Sequence, residues 1–273
     1  MDNSINNEWI YLISSIIEEG EDYAPRGQQT REILAKTTKV DMAKPVLTLK
    51  ARKMGYRFLA AEAKWILSGD NRVASIQKYS KMISSFSDDG IFFNGAYGPM
   101  IVQQLPYILD CLEKDVDTRQ AILTIWKPSP PSSKDIPCTI SVQFLVRDGK
   151  LHCIDTMRSS DAWLGWVYDV FNFSMLSGYI LLLLRQRALL RGEDPELLEL
   201  GDLHLTAGSQ HLYERNMAAA VEIYETQSLE TFDYAPFNPY SFEEPSELLA
   251  HLGDVADRQP LHKNNFLKEL YDV

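Results

Sequence analysis

A cysteine at the start of a strong hairpin pattern is the residue with the clearest chemical potential in this sequence. Two strand-like runs flank Asp148-Gly149, a pair typical of a two-residue hairpin turn. Counting back from that turn places Cys138 opposite Ser159, with Arg158 beside it. A guanidinium near a thiol lowers the thiol pKa and raises the fraction of nucleophilic thiolate. The pattern therefore predicts that Cys138 is a nucleophile.

The other two cysteines have no such surroundings. Three cysteines in 273 residues are too few for a disulfide scaffold, and no Cys/His spacing is typical of a zinc site. Cys111 and Cys153 are interpreted as small buried hydrophobic residues, and no metal is predicted.

The elements that must position Cys138 mix helical and strand-like patterns. Apolar residues recur at helical spacing over 8–19 and 57–67, and residues 166–191 read as a long buried helix that ends at Gly192. Residues 121–126 favour a strand that enters a proline-rich loop. The irregular order of these elements predicts an α+β fold.

Other local patterns are less specific. Residues 23–38 are polar and include the flexible pair Arg26-Gly27, which favours an exposed loop or a hairpin. Residues 159–161, Ser-Ser-Asp, offer N-cap chemistry before the long helix. Isolated arginines usually lie at the surface, and this interpretation is applied to Arg31, Arg52 and Arg147.

The composition limits the class of protein. With 45% hydrophobic residues, no repeat and no low-complexity linker, the chain is predicted to form a single domain over 1–273. A formal net charge of -11 argues against binding nucleic acid, although a free nucleotide remains a candidate ligand. The first residues lack the basic region of a signal peptide, and the apolar run 174–184 is shorter than a membrane span. We therefore expect a cytoplasmic protein without a membrane segment.

Several motifs, taken together and in order, resemble the thymidylate synthase family. They are Ile136-Pro137-Cys138-Thr139 with Gln143-Phe144, the run Arg158 to Asp169, Gly201-Asp202-Leu203-His204, the set Glu62, Trp65, Gly69 and Asp70, and the short pieces Tyr97-Gly98 and Asp117-Thr118-Arg119. Each motif alone is weak, but the ordered set is highly specific. The resemblance implies a mixed, twisted β-sheet flanked by helices, paired sheet to sheet in a homodimer.

The resemblance also implies a role for each site residue. Cys138 would add to carbon six of a pyrimidine nucleotide, while Glu62 and Tyr97 would serve the water and protons near carbon five. The residues expected to bind the nucleotide are Arg26, Arg158, Ser159, Asp169, His204 and, from a second chain, Arg119. Those expected to hold the co-substrate, 5,10-methylenetetrahydrofolate, are Asp161, Leu164, Gly165, Trp166 and Tyr168.

One departure from the family pattern concerns the base. The family motif ends in an Asn that matches uracil, whereas this sequence has Asp169. A carboxylate accepts from the cytosine amino group, and accepts again once thiolate addition lets the ring nitrogen hold a proton. The change resembles the phage deoxycytidylate hydroxymethylases and predicts a cytosine nucleotide as substrate.

A second departure concerns the product. Ile83 and Phe86 align with two tryptophans that face the folate in the family, so water capture, giving hydroxymethyl, is favoured over hydride transfer, giving methyl. Methylation of dCMP or dUMP and hydroxymethylation of dUMP remain alternatives. Further departures are Gln120, Thr139, Met157 and Thr206. They leave open CMP as substrate and a catalytically silent nucleotide-binding relative.

Overall fold

The structure, a computed structural model, describes residues 5–195, 197–226, 229–259, 266–267 and 270. The helices in this part of the chain are α1 Ile5–Glu19, α2 Tyr56–Leu67, α3 Val73–Ile76, α4 Tyr97–Lys114, α5 Trp166–Leu190, α6 Glu214–Thr226 and α7 Pro245–Asp257. The strands are β1 Glu21–Tyr23, β2 Thr30–Asp41, β3 Ile122–Thr124, β4 Thr139–Arg147, β5 Lys150–Asp161 and β6 Glu199–Tyr213.

The strands form one six-stranded sheet in the order β1-β2-β6-β5-β4-β3. Strands β5 and β6 are parallel, and the helix α5 connects them, while the other neighbouring pairs are antiparallel. A parallel pair needs such a crossover because the chain must return to the end of the sheet at which the first strand began. The predicted mixed sheet with flanking helices is confirmed.

The central hairpin has the predicted turn. Asp148 and Gly149 both have positive φ, at 51° and 70°, as a type I′ turn requires. Paired positions follow the count from the turn as far as Ser141, which lies opposite Thr156. A β-bulge between Thr139 and Ser141 then shifts the register by one residue. That shift changes the partner of Cys138, as described below.

One face of the sheet carries the core. Along β5 the side chains of Leu151, Cys153 and Met157 alternate inward and are buried, as the period of a strand dictates. The helix α5 packs on this face and is nearly buried over most of its length. It is long and apolar enough to cross a membrane, but 72% of the relevant window is buried inside the fold, so it is the core helix that the sequence predicts.

The opposite face of the sheet is only half covered in the single chain. Its side chains, which alternate with the core residues, include Ile154 and Thr156 of β5 and His204 and Thr206 of β6. All four are intermediate in exposure.

Most predicted elements are confirmed, and three further helices were not predicted. The predicted helices over 8–19, 57–67 and 166–191 correspond to α1, α2 and α5, and the strand over 121–126 is β3. Of the two alternatives for residues 23–38, the hairpin is confirmed, because β1 pairs with β2 and β2 continues along β6. The helices α4, α6 and α7 were not predicted, and α4 contains Pro106 in its interior, a residue that normally breaks a helical pattern.

Candidate active site

Cys138 lies immediately before β4, beside the bulge. The carbonyl of Cys138 accepts a hydrogen bond of 2.8 Å from the amide of Arg158, so these two residues are neighbours across the strands. The expected partner, Ser159, is one position further along because the bulge adds a residue to β4. Bulges are common beside active sites, where they redirect a side chain.

The thiol of Cys138 is nevertheless close to Ser159. The hydroxyl of Ser159 lies 3.8 Å from Sγ and is positioned to donate to it. Burial raises the pKa of Cys138, and the positive charge of Arg158 lowers it by less than burial raises it. The expectation of a lowered pKa is therefore wrong for the unliganded protein, because desolvation of the thiolate outweighs the nearby cation.

Arg158 is held by the loop that precedes the nucleophile. Its guanidinium donates to the carbonyls of Pro137 and Ile136, each at 3.0 Å, and to the hydroxyl of Ser159 at 2.9 Å. These bonds fix the arginine and the loop together next to the thiol. An exposed guanidinium in this position is well suited to bind an anion such as phosphate.

Tyr97, at the start of α4, reaches the same strand. Its hydroxyl accepts a hydrogen bond of 3.2 Å from the amide of Thr139, and its ring stacks against Phe173 at 6.2 Å. Burial, followed by the charges of Asp169 and Cys138, raises the pKa of Tyr97 well above its usual range. Tyr97 thus keeps its proton and lies within the electrostatic reach of the thiol.

Glu62, on α2, faces α5. Its Oε2 accepts a hydrogen bond of 2.9 Å from Nδ2 of Asn172. Burial raises the pKa of Glu62 to about 7, and the Asn172 bond opposes that rise. A carboxyl group with a pKa near neutrality can both give and take a proton, as a general acid and base must.

Asp169, in the first turn of α5, lies at the centre of this group. Burial, then the charges of Glu62 and Asp161, raise the pKa of Asp169 well above its usual range. Its own charge in turn raises the pKa of Cys138 and of Tyr97. The structure therefore brings the predicted nucleophile, the predicted base contact and the predicted proton-transfer residues into one electrostatically coupled cluster.

Asp161 shapes the turn that leads into α5. Its Oδ1 accepts hydrogen bonds from the amides of Trp163 at 2.8 Å and Leu164 at 3.1 Å, and burial raises its pKa. The N-cap of α5 is Gly165, which has no capping side chain, so the prediction of an N-cap at 159–161 is wrong. Asp161 instead closes the turn that precedes the helix. Leu164 and Gly165 are partly exposed beside this turn.

Two residues expected near the folate have different environments. Tyr168 is partly exposed, with its ring edge-to-face against Phe58 at 5.3 Å and its hydroxyl 3.4 Å from the amide of Gly55. Trp166 is fully buried and its indole nitrogen donates to Thr38 at 2.8 Å. Contrary to expectation, Trp166 is a core residue and offers no surface to a folate.

Arg52 is a residue that the sequence interpretation missed. It was expected at the surface, but it is buried, and its guanidinium lies 4.3 Å from the ring centroid of Trp163 and bonds the Trp163 carbonyl. Burial lowers the pKa of Arg52, whereas the charges of Tyr168 and Asp161 raise it. Its Nε has no hydrogen-bond partner among the described residues. Its position between two helical motifs gave no signal of burial.

Three predicted nucleotide-binding residues are not joined to the cluster by any contact that the structure records. Arg26 is exposed in the turn between β1 and β2, at the same end of the sheet as Arg158. Arg119 is exposed before β3. His204 lies opposite Ile154, four residues before Arg158 on β5, which corresponds to roughly 13 Å along a strand.

His204 belongs to a small group with ligating side chains. His152, Asp202 and His204 bring ligand atoms within 4.8 Å of one another on the half-covered face of the sheet. The Asp202 carboxylate is already paired with the ammonium of Lys39 at 3.0 Å, and the Asp202 amide donates to Nδ1 of His152 at 3.1 Å. The ion pair with Lys39 supplies the Asp202 carboxylate with a cation of its own.

The comparison with known proteins agrees with this arrangement. A family model described as thymidylate synthase matches residues 7–233, which include the cluster. The chain belongs to the thymidylate synthase family. Its resemblance motifs, including the strand after Cys138 and the run from Arg158 to Asp169, fall within the matched region.

A curated relative points in the same direction. A deoxyuridylate hydroxymethyltransferase of Bacillus phage SP01 is 33% identical over 172 residues, which cover 55% of this chain and 44% of that protein. The match thus spans less than half of the relative's length.

Proposed function

We propose that this thymidylate synthase family member is an enzyme that hydroxymethylates carbon five of a cytosine nucleotide, dCMP or CMP, with 5,10-methylenetetrahydrofolate as co-substrate. The observation that carries the proposal is the position of Asp169, in place of the family's Asn, within the cluster that contains Cys138 and Glu62. The phage relative supports a hydroxymethyl product, since its name describes that transfer.

The chain's own residues account for activation of the base. The Cys138 thiolate forms a bond to carbon six, and the displaced ring electrons let N3 take a proton from the Asp169 carboxyl. The raised pKa of Asp169 favours its protonated form before the substrate reacts. The resulting carboxylate then accepts hydrogen bonds from N3 and from the amino group, as cytosine requires.

Glu62 would carry the protons at carbon five. With a pKa of about 7, it can remove the carbon-five proton through water and return a proton later in the reaction. Addition of water to the carbon-five methylene, followed by release of the Cys138 thiolate, gives the hydroxymethyl product without oxidation or reduction. Tyr97, which stays protonated, would support these transfers next to the thiol.

The residues near Asp161 fit a folate. When bound, methylenetetrahydrofolate supplies the one-carbon unit. Asp161, Leu164, Gly165 and Tyr168 would hold it, and the buried Arg52 guanidinium, which lies over the Trp163 ring and bonds the Trp163 carbonyl, would keep the turn that carries these residues in place.

The loop that aligns with the family's two tryptophans also supports water capture. Phe86 is 49% exposed and Ile83 is partly buried, so neither builds a flat indole wall over the site. Without that wall, the methylene is accessible to water. Release of dihydrofolate, read as a rise in absorbance, would instead reveal hydride transfer and a methyl product.

The nucleotide phosphate would be bound by Arg26, Arg158 and Ser159, with Arg119 contributed by a second copy of the chain. Such a homodimer would cover the half-exposed face of the sheet, where Ile154 and Thr156 lie. His204 would contact the sugar. We expect this enzyme to act in the cytoplasm, or in the host cytoplasm if a phage encodes it.

Hydroxymethylation of dUMP is the second candidate, favoured by the name of the phage relative. A protonated Asp169 presents one donor and one acceptor, as an Asn amide does, and so can also match uracil. The test is incubation of the purified protein with methylenetetrahydrofolate and dCMP, CMP or dUMP, with products read by mass. Turnover of dUMP alone would exclude the cytosine assignment and leave the second candidate.

A further inference from the structure

A second buried carboxyl group lies beneath the cluster, and the mechanism above does not use it. Asp155 is fully buried on the core face of β5, between Cys153 and Met157 and opposite Val142 of β4. Neither of its carboxyl oxygens has a hydrogen-bond partner among the described residues. A group of this kind is rare in a folded protein and calls for an explanation.

Two neighbouring elements present further unpartnered polar atoms. The hydroxyl of Thr139, next to Cys138 on β4, is buried and approaches Asp155 without completing a hydrogen bond. On α5, Oδ1 of Asn172 is also unpartnered, while the amide nitrogen of the same side chain donates to Glu62. Buried polar atoms that lack protein partners are usually bridged by ordered water. Thr139 and Asp155 therefore form a small polar region next to the catalytic strand, and Asn172 adds a further unpartnered atom on the helix α5.

This polar region costs stability. A buried carboxyl without partners destabilises a fold, and an apolar residue of similar size would pack beside Cys153 and Met157 without that cost. Features of this sort persist where the fold's function needs them. The location of Asp155 indicates which function that is.

Asp155 is coupled to Asp169. Ser177 of α5 contacts Cys153, and Asp169 lies about two turns before Ser177, so α5 passes Asp155 on its way to Asp169. Burial and the charge of Asp169 both keep the pKa of Asp155 far above its usual range. Burial therefore favours the neutral form of Asp155, whose hydroxyl can donate a hydrogen bond while Asp169 ionises.

We propose that Asp155 is a positioning residue for base activation: through an ordered water, its carboxyl group donates a hydrogen bond that stabilises Asp169 once Asp169 has given its proton to the ring. The inference rests on the proposed function. The coupling between the two carboxyl groups is reciprocal. The negative charge of Asp169 favours the protonated form of Asp155, and protonated Asp155 in turn favours the ionised form of Asp169. Asp155 thereby offsets the repulsion that Glu62 and Asp161 exert on the Asp169 carboxylate.

The groups that face Asp169 define what else could move its titration. They are Glu62 from α2, Tyr97 from α4, Cys138 beside β4, and Asp155 and Asp161 from β5. Arg158 acts on Cys138. Of these residues, Asp155 is the one that is fully buried with both oxygens unpartnered.

The test compares Asp155→Leu with Asp155→Asn. Leu removes the donor, whereas Asn keeps a donor of the same shape that cannot ionise. We expect Asp155→Leu to lower kcat by roughly ten- to hundredfold, as loss of a hydrogen bond to a charged group does, with KM nearly unchanged. Asp155→Asn should recover most of that loss. Cys153→Ala, on the same face of β5, is the matched control for a general disturbance of the core.

Two further measurements separate positioning from a structural role. Loss of the donor raises the pKa of Asp169, so the high-pH limb of the kcat profile should move to higher pH in Asp155→Leu and stay in place in Asp155→Asn. The melting temperature of Asp155→Leu should equal or exceed that of the wild type, while a structural role predicts a parallel loss of stability and activity. The infrared band of protonated carboxyl groups should lose one carboxyl's intensity in Asp155→Asn, seen in the difference between the wild-type and variant spectra, while Glu62 and Asp169 still contribute to the band.

Full activity and an unshifted pH profile in Asp155→Leu would overturn the inference, as would an infrared spectrum without a protonated Asp155. If the wild type turned over no pyrimidine nucleotide, the proposed function would fail instead. The infrared measurement on the unliganded protein would still show whether Asp155 holds its proton.

Discussion

The amide nitrogen of Asn172 donates a hydrogen bond of 2.9 Å to the carboxyl group of Glu62, joining the core helix α5 to α2. This bond opposes the effect of burial on Glu62 but does not cancel it, so the pKa of Glu62 stands at about 7. The balance between these two influences has a measurable effect on stability.

Stability should fall as pH rises through the range in which Glu62 ionises. Its pKa is raised from 4.5 to about 7 on folding, so the folded state binds the proton more tightly and loses that advantage between these pH values. This group alone contributes up to about 3 kcal/mol. Denaturant unfolding of the wild type and of Glu62→Gln at a series of pH values checks this. The variant should show a weaker dependence on pH, and an equal slope in both proteins would contradict the assignment.

Cys138 should be slow to react with alkylating reagents at neutral pH. Because burial raises its pKa, the thiolate fraction is small, and the alkylation rate should rise mainly above the ordinary titration range of cysteine. Peptide mass spectrometry separates Cys138 from Cys111 and Cys153. Arg158→Lys, which keeps the positive charge, is the control for Arg158→Met, which should slow the reaction further. A fast reaction at pH 7 would mean that the arginine outweighs burial.

Replacing Cys138 by Ser should reduce turnover by about three orders of magnitude or more, since a serine hydroxyl in this site has no comparable nucleophilicity. Nucleotide binding, measured by calorimetry, should persist because the residues proposed to bind the phosphate are unchanged. Cys111→Ser, a half-buried cysteine outside the cluster, is the matched control. Retained turnover would exclude the covalent mechanism.

Asp169→Asn should shift base preference from cytosine toward uracil. An Asn amide has a fixed donor and acceptor and cannot give a proton to N3. The cost of an unmatched buried polar pair, roughly 1–3 kcal/mol, would then fall on the cytosine nucleotide rather than on the uracil nucleotide. That corresponds to a change of about tenfold to a hundredfold in the ratio of kcat/KM values for dCMP and dUMP. An unchanged ratio would show that Asp169 does not read the base.

Arg52→Met should raise KM for methylenetetrahydrofolate and leave nucleotide affinity unchanged. Met fills much of the same volume but lacks the guanidinium that lies over the Trp163 ring and bonds the Trp163 carbonyl, in the turn that leads to the residues proposed to hold the folate. Arg57→Met is a suitable control, since Arg57 lies on α2 and donates to the carbonyl of Ala256 at 2.8 Å. Equal changes in both KM values would indicate a structural role for Arg52.

The sequence predicted α1, α2, α5 and the hairpin of β4 and β5, together with most of the cluster, because hydrophobic periodicity and turn chemistry act over a few residues; it did not predict α4, α6 or α7. It placed Cys138 one position away from its true partner, since a bulge has no reliable signature in composition. It placed Trp166 beside the folate and Arg52 at the surface, because burial depends on how distant elements pack. A signal for Asp155 was present: it shares the strand period of Leu151, Cys153 and Met157, all on the core face.

The extra residue in β4 also makes this strand sensitive to its length. Thr139 and Val142 both point into the core although three positions separate them, an odd spacing that only the bulge reconciles with a pleated strand. Removal of a single residue such as Ile140 would restore a regular ladder and preserve the hairpin's apolar contacts. Thr139 would stay opposite Met157 and Cys138 beside Arg158, so the strand tolerates the loss of this one residue, whereas loss of a paired residue with the bulge kept would turn the sulfur toward the other side of the sheet.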